Sequence, residues 1–243
     1  MRAINQDCFG IATLPEPPRI KGVRRREKNA TLAVICDGMG GAEGGEIASF
    51  LAKDAFIEKM EEKTAREVCE ALKEALVHAN SVVYGRAEGE HSLHGMGSTM
   101  VAAVAYKSML ALLSVGDSRA YLWHDGYLLL LTHDHSYVQN MIDEGRMSPE
   151  EARKSPRKHL ITRAVGIGAS VEGDVFYCSW EEGDKLLLCT DGLDTVSENE
   201  LSVVLSEDAP PEKITEKLID MAIMRGSRDN LTALLIENTK ENP

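Results

Sequence analysis

The amino-acid sequence predicts an α+β fold, a sandwich of antiparallel β-sheets with helices on the outside, on three observations. Short apolar runs of strand length cluster in the middle and at the end of the chain, while the helical patterns fall in blocks of their own. Asp125-Gly126 stands between two of those runs, a strong hairpin signal. A parallel βαβ fold would alternate the two kinds of element instead.

Residues 31–36, TLAVIC, are the first uninterrupted apolar run. Two helical patterns follow. Ile47, Phe50, Leu51 and Ile57 recur at helical spacing in 46–62, and Val68, Leu72, Ala75, Leu76, Ala79 and Val83 do so more cleanly in 64–83. Strand-like runs return at 100–105, 109–115, 120–123 and 127–131. Residues 136–144, with Val138, Met141 and Ile142, read as a short helix. Residues 185–190 are strand-like, and 211–224 carry Ile214, Leu218, Ile219 and Ile223 on one helical face with Pro211 near the start. The run 231–236 closes the series. Two segments are different in kind. Residues 14–28 hold three prolines and then a basic stretch, either a solvated insertion or a docking patch for an anionic partner. Residues 147–159, MSPEEARKSPRKH, are a second polar connection.

A length of 243 residues suits one large domain, which buries roughly 70–75% of its unfolded surface. Apolar residues at 43% argue against disorder, and a net charge of -12 argues against nucleic acid or an anionic membrane as a bulk partner. The five cysteines are odd in number and contain no CxxC pair, and Cys36 and Cys189 lie inside apolar runs. They read as buried small hydrophobes in a reducing compartment. No apolar stretch reaches membrane-spanning length and no signal-like N-terminus is present, so a soluble cytoplasmic protein is expected.

The chemistry concentrates in aspartates at the boundaries of the apolar runs. Asp37 opens the glycine-rich CDGMGGAEGGE, residues 36–46. Asp191-Gly192 ends LLLCTDGL, Asp229 precedes the last run in GSRDNLT, and Asp117 follows LLSVG with Ser118 and Arg119 beside it. Each taken alone is equally a turn cap, as Asp-Gly pairs often are. Together they form an all-oxygen donor set with no histidine cluster or cysteine pair, which suits Mg²⁺ or Mn²⁺ better than Zn²⁺. Arg2 and Arg163 are guanidiniums capable of gripping a phosphate in bidentate fashion. Carboxylates, metal and a phosphate-gripping arginine describe hydrolysis of a phosphate ester.

The same stretches resemble the metal-dependent Ser/Thr protein phosphatases, the protein phosphatase 2C family, in its short bacterial form. The resemblance runs from RAINQD (2–7) through VICDGMGG (34–41), GMGSTMVAAV (95–104), SVGDSRAYL (114–122), LTHDHS (131–136), MIDEGRMSPEEA (141–152), LITRAVG (160–166) and LLLCTDGL (186–193) to SRDNLTALLI (227–236). It implies a four-layer α/β/β/α sandwich, two central antiparallel sheets flanked by helices, forming one catalytic domain over residues 1–243. It also implies a binuclear Mn²⁺ or Mg²⁺ centre at one end of the sandwich. By that resemblance Asp37 bridges the two metals, the Gly38 carbonyl completes one, and Asp191 and Asp229 hold the other. Asp117 helps Asp191 with a third, more weakly held ion. Arg2 contacts the substrate phosphate, while Gln6, Asp7 and Asn230 stand behind the ligands. Residues 136–159 form a flap over the cleft. The expected substrates are proteins carrying phosphoserine or phosphothreonine, those of a Ser/Thr kinase, and the expected state is a monomer. The alternatives are a catalytically weak pseudophosphatase binding module and a phosphatase of small phosphoesters.

Three departures from the family pattern stand out. Met39 replaces a histidine common in animal members and proposed there as general acid. Gln6 replaces a common glutamate, so it brings no charge. Arg2 follows Met1 directly, where members usually carry about ten more residues forming an edge strand, and this leaves Arg2 on a poorly tethered terminus.

Overall fold

The computed structural model of the protein describes residues 4–15, 17–19, 29–62 and 66–239. Arg2 and most of the basic segment 14–28 lie outside the described residues. The first sheet contains β1 (Asp7–Leu14), β2 (Ala30–Met39), β4 (Met100–Tyr106), β5 (Met109–Val115) and β8 (Asp174–Ser179) in that spatial order, with the short β3 (Gly97–Ser98) also pairing β2. The second is β10 (Ala233–Glu237), β9 (Lys185–Cys189), β6 (Arg119–His124) and β7 (Tyr127–Leu130). Every strand pairing in both is antiparallel. Asp125 and Gly126 turn β6 into β7 with φ of 45° and 85°, the two left-handed residues that a tight hairpin of this twist needs.

Alternation along the strands sorts the apolar residues into three cores, and so defines four layers. On β2, Leu32, Val34 and Cys36 face α1 (Gly41–Glu61) and α2 (Val68–Gly89), while Ala33 and Ile35 face the second sheet. Both sets are fully buried, which is why this strand reads as an unbroken apolar run. Leu186 and Leu188 of β9 point into the inter-sheet core. Leu187 and Cys189 point outward to α5 (Glu198–Leu205) and α6 (Pro211–Met224). The architecture is therefore helix, sheet, sheet, helix, the α+β sandwich expected from the sequence. Two short helices, α3 (Tyr137–Asp143) and α4 (Pro149–Lys154), occupy the polar connection between β7 and β8. Among the described residues no helix is long and apolar enough to cross a membrane.

The structure adds elements that the apolar pattern did not announce: β1, β3, β8, α4 and α5. It also moves the start of α1. The helix begins at Gly41 rather than at residue 46, inside the glycine run, because tertiary contact overrides the weak helical propensity of glycine there. A Cβ on Gly38 would lie 1.8 Å from the Gly45 carbonyl oxygen, and one on Gly45 would lie 2.4 Å from Gln6 Nε2. Bare backbone at both positions lets α1 rest directly on the end of β2.

Gly38→Ala is expected to lower stability by about 1–3 kcal/mol, the usual cost of overpacking a tight contact. Gly85→Ala, in α2 with open space around it, is expected to raise stability by about 0.5–1 kcal/mol through helix propensity. Denaturant melts of the two variants against wild type separate these effects. A neutral Gly38→Ala would show that the α1–β2 approach is not limiting.

Candidate active site

Strand direction brings the predicted aspartates to one end of the sandwich. β1 runs against β2, so its first residue, Asp7, lies directly opposite Asp37 near the end of β2. Met100, opening β4, pairs with Val115, ending β5, and Asp117 follows two residues later. In the second sheet Cys189 faces both Arg119 and Ala233, aligning the end of β9 with the starts of β6 and β10. Asp191 follows that end, and Asp229 precedes β10. All five carboxylates are half-buried.

They sense one another. Burial, then the charges of Asp7, Asp191, Asp117 and Asp229, push the Asp37 carboxyl up to about 9. Burial followed by Asp191, Asp134 and Asp194 pushes Asp117 up to about 7. Asp7 is also raised, chiefly by burial, against hydrogen bonds from Thr232 and Thr190 that favour its charged form. Both threonine hydroxyls donate to Asp7 Oδ2 at 2.8 Å, tying the first sheet to the second. Asp7 Oδ1 is buried with no hydrogen-bond partner among the described residues. Asp7 lies opposite Asp37 across the β1–β2 pair, and the charge of each bears on the cluster.

The frame around these groups is made of backbone and small polar side chains. Asp37 N donates to Thr99 Oγ1 at 3.0 Å, and its carbonyl accepts from Ser98 Oγ at 3.0 Å and Thr99 N at 2.8 Å. Gly38 N donates to Gln6 O at 3.0 Å. The buried Gln6 amide donates through Nε2 to Gly41 O at 2.9 Å, so it fastens the start of α1. Asn230 accepts from Gln6 N at 2.9 Å and donates to Ile4 O at 3.3 Å, while its own N donates to Asp229 Oδ1 at 2.7 Å. One amide thus joins the segment entering β1 to the segment entering β10.

The arginines named from the sequence fare differently. Arg2 is outside the described residues. Arg163 donates to Asp174 Oδ1 at 3.3 Å, away from the five carboxylates. Arg119 grips Asp134 with two hydrogen bonds, at 3.0 and 2.7 Å, and reaches Asp194 at 2.8 Å. The sequence gives no signal for His159, which follows α4 in the connection to β8 and whose Nδ1 stands 3.3 Å from Asp191 Oδ2. Met39 ends β2 opposite Gly97 and carries no ionisable group.

Hard oxygen donors, mutual repulsion and the unsatisfied Asp7 oxygen together fit a divalent cation of the Mn²⁺ or Mg²⁺ kind. Among the described residues no three His, Cys, Asp or Glu side chains lie close enough together to grip one ion. The fit therefore rests on donor chemistry and on convergence at one end of the sheets.

Comparison with known proteins agrees with that chemistry. Residues 19–235 match the family model described as protein phosphatase 2C. The serine/threonine phosphatase stp of Listeria monocytogenes is 37% identical over 221 residues, covering 89% of this chain and 88% of that protein. A crystal structure of a bacterial serine phosphatase superposes with a TM-score of 0.88 at 30% identity, covering 100% of this chain and 95% of that one. The catalytic domain of the serine/threonine protein phosphatase PstP, solved with two manganese ions, superposes with a TM-score of 0.79 at 31% identity, covering 96% and 99%.

The electrostatics carry a pH prediction for the protein with its divalent metals chelated. Asp37 has an ordinary value of 3.8 and a folded value of about 9, so across that window the folded state holds a proton that the unfolded chain has released. Stability then falls as pH rises from about 4 to about 9. Thermal unfolding between about pH 5 and pH 8 should show a declining Tm, and Asp37→Asn should flatten the decline and raise Tm at the upper end. An unchanged slope in the variant would contradict the crowding described above.

Proposed function

The chain belongs to the protein phosphatase 2C family, the metal-dependent protein serine/threonine phosphatases, and from that premise we propose that it hydrolyses phosphoserine and phosphothreonine in proteins at the acidic end of its sandwich. The observation that carries this reading is the convergence of five half-buried carboxylates, with Asp37 pushed up to about 9 by burial and then by its charged neighbours. Such a cluster is costly without a counter-charge.

In this reading residues 1–243 act as one catalytic domain, with 136–159 as its flap. Asp37, the Gly38 carbonyl, Asp191 and Asp229 would hold two divalent ions, Mn²⁺ or Mg²⁺, and Asp117 with Asp191 would hold a third, weaker one. The bare Oδ1 of Asp7 favours counting that residue among the ligands rather than behind them. When bound, the ions supply Lewis acidity toward the phosphoryl oxygens and lower the pKa of water.

The protein's own contribution is position and charge. Thr99 and Ser98 fix the Asp37 backbone, Asn230 holds the Asp229 turn, and Thr190 and Thr232 orient the Asp7 carboxylate. Rigid support of this kind preorganises a site. Arg2 binds the substrate phosphate. Met39 cannot donate a proton, so no side chain at that position acts as general acid. The substrate is a phosphoprotein of a Ser/Thr kinase, taken by a monomeric, cytoplasmic enzyme.

Purified protein with Mn²⁺ is expected to release phosphate from a phosphothreonine peptide in preference to small aryl or sugar phosphates, and chelation should abolish the release. Undiminished activity in the metal-free protein would refute the metal reading, and preference for the small esters would move the substrate class. Asp37→Asn and Asp229→Asn should each lower kcat by more than about a hundredfold, equivalent to about 3 kcal/mol, with the circular dichroism of the fold preserved. Either variant turning over near the wild-type rate at saturating Mn²⁺ would remove that residue from the site. Met39→Ala should leave the shape of the pH–rate profile intact, and a lost basic limb would reinstate an acid role there.

A further inference from the structure

His135 is 4% exposed and stands where the chain leaves the sandwich for the flap. Ser136, the next residue, caps α3 by accepting from Gln139 N and forms a bridge with Ile161. His135 is bonded in three directions. Its N donates to Gly116 O at 2.9 Å, and its carbonyl accepts from Thr162 N at 2.7 Å, where the chain returns from the flap. On the ring, Gly116 N donates to Nδ1 at 3.1 Å. That bond settles the tautomer: Nδ1 is the acceptor, so the proton of the neutral ring sits on Nε2. Nε2 faces Asp174 Oδ2 at 3.2 Å and donates to it. Arg163 Nη1 lies 3.2 Å from the same Nε2 and 3.3 Å from Asp174 Oδ1. Two N–H groups cannot bond each other, so the carboxylate holds both the ring and the guanidinium.

On its other side, the loop that His135 grips is wedged against the Asp37 frame. Gly116 has φ of +96°, and a Cβ there would meet the Thr99 side chain at 2.6 Å. Thr99 Oγ1 lies 2.7 Å from Ser118 Oγ and accepts from Asp37 N. Asp117 therefore sits between two residues that are each held, Gly116 by His135 and Ser118 by Thr99. We propose that His135 is a positioning residue that locks the base of the flap to the loop carrying Asp117, so that the setting of the flap and the place of Asp117 in the cleft are coupled. The functional half of this rests on the metal-holding role proposed for Asp117.

A histidine that merely filled space would be replaced best by an apolar residue of similar bulk. A positioning histidine would be replaced best by asparagine, whose Oδ1 can take the place of Nδ1 in accepting from Gly116 N. Hydrogen exchange of the full-length, metal-free protein tests the lock directly. His135→Leu is expected to speed exchange over both 115–118 and 136–142 while α6 and β9 keep their wild-type rates, and His135→Asn is expected to restore protection over 115–118. If His135→Leu does not fold, Asp174→Ala, at a carboxylate on the surface, should loosen the same two segments to a smaller degree.

In phosphopeptide hydrolysis, His135→Leu should raise the half-saturating Mn²⁺ concentration by about tenfold, the usual scale for groups that orient ligands. The loss should appear in metal requirement and KM more than in kcat. Loosening of neither segment, even loosening that includes α6, or asparagine doing no better than leucine would overturn the coupling. Asp117→Asn keeps the two readings apart. If it leaves the Mn²⁺ dependence unchanged while His135→Leu still frees both segments, the metal role of Asp117 fails and the lock stands.

Discussion

Carboxylates held together at the same end of two sheets repel one another, and the folded chain has to hold them there. Asp7, Asp37, Asp117, Asp191 and Asp229 all lie at strand boundaries, where the backbone is already fixed by sheet pairing. Their proximity is therefore enforced by the ladders behind them, and burial followed by the neighbouring charges raises the carboxyl of Asp37. A divalent cation would offset that charge, so the arrangement that weakens the bare protein suits hard cations.

Everything near the cluster serves that enforcement. The contact of Gly38 with Gly45 sets α1 against the end of β2, and the Gln6 amide fastens the first turn of that helix. Threonine and serine hydroxyls take up the backbone groups around Asp37 and one oxygen of Asp7. Arg119, the cation beside Asp117 in sequence, is engaged by Asp134 and Asp194. It braces the rim of the cleft.

The elements best legible in the sequence are those whose own residues suffice to specify them. Strand β5 and helix α6 coincide with the segments read from apolar spacing, and Asp125-Gly126 makes the turn its chemistry demands. Strand β1 is not marked by the apolar pattern because its helix-facing residues Cys8, Gly10 and Ala12 are small, while the bulky Phe9 and Ile11 are exposed. A Cβ on Gly10 would lie 2.6 Å from Ile57 of α1, so that face has no room for the bulky side chains that would have marked it. Helices α4 and α5 carry capping boxes, Ser148 with Glu151 and Ser197 with Glu200, a signal present in the sequence and left unread. In the site, Asp37, Asp117, Asp191 and Asp229 are visible because each borders an apolar run. Asn230 is legible only through the family resemblance, and Thr190 and Thr232 are not legible at all, because they act on Asp7 from the far end of the chain and no local pattern encodes such a pairing.

The hydrogen bond from Thr232 to Asp7 spans 225 residues of sequence. During synthesis, chains grow at about 5–20 residues per second and fold from the N-terminal side first. The first sheet and its helices can be assembled while β10 is still within the ribosome, but the cleft cannot close until that strand emerges and supplies Thr232 and the Asn230 turn. For at least several seconds the nascent chain carries Asp7 and Asp37 side by side without the sheet that completes their surroundings. Completion of the cleft is thereby deferred until β10 emerges, and a polypeptide cut short before Asp229 would lack that carboxylate together with Asn230 and Thr232.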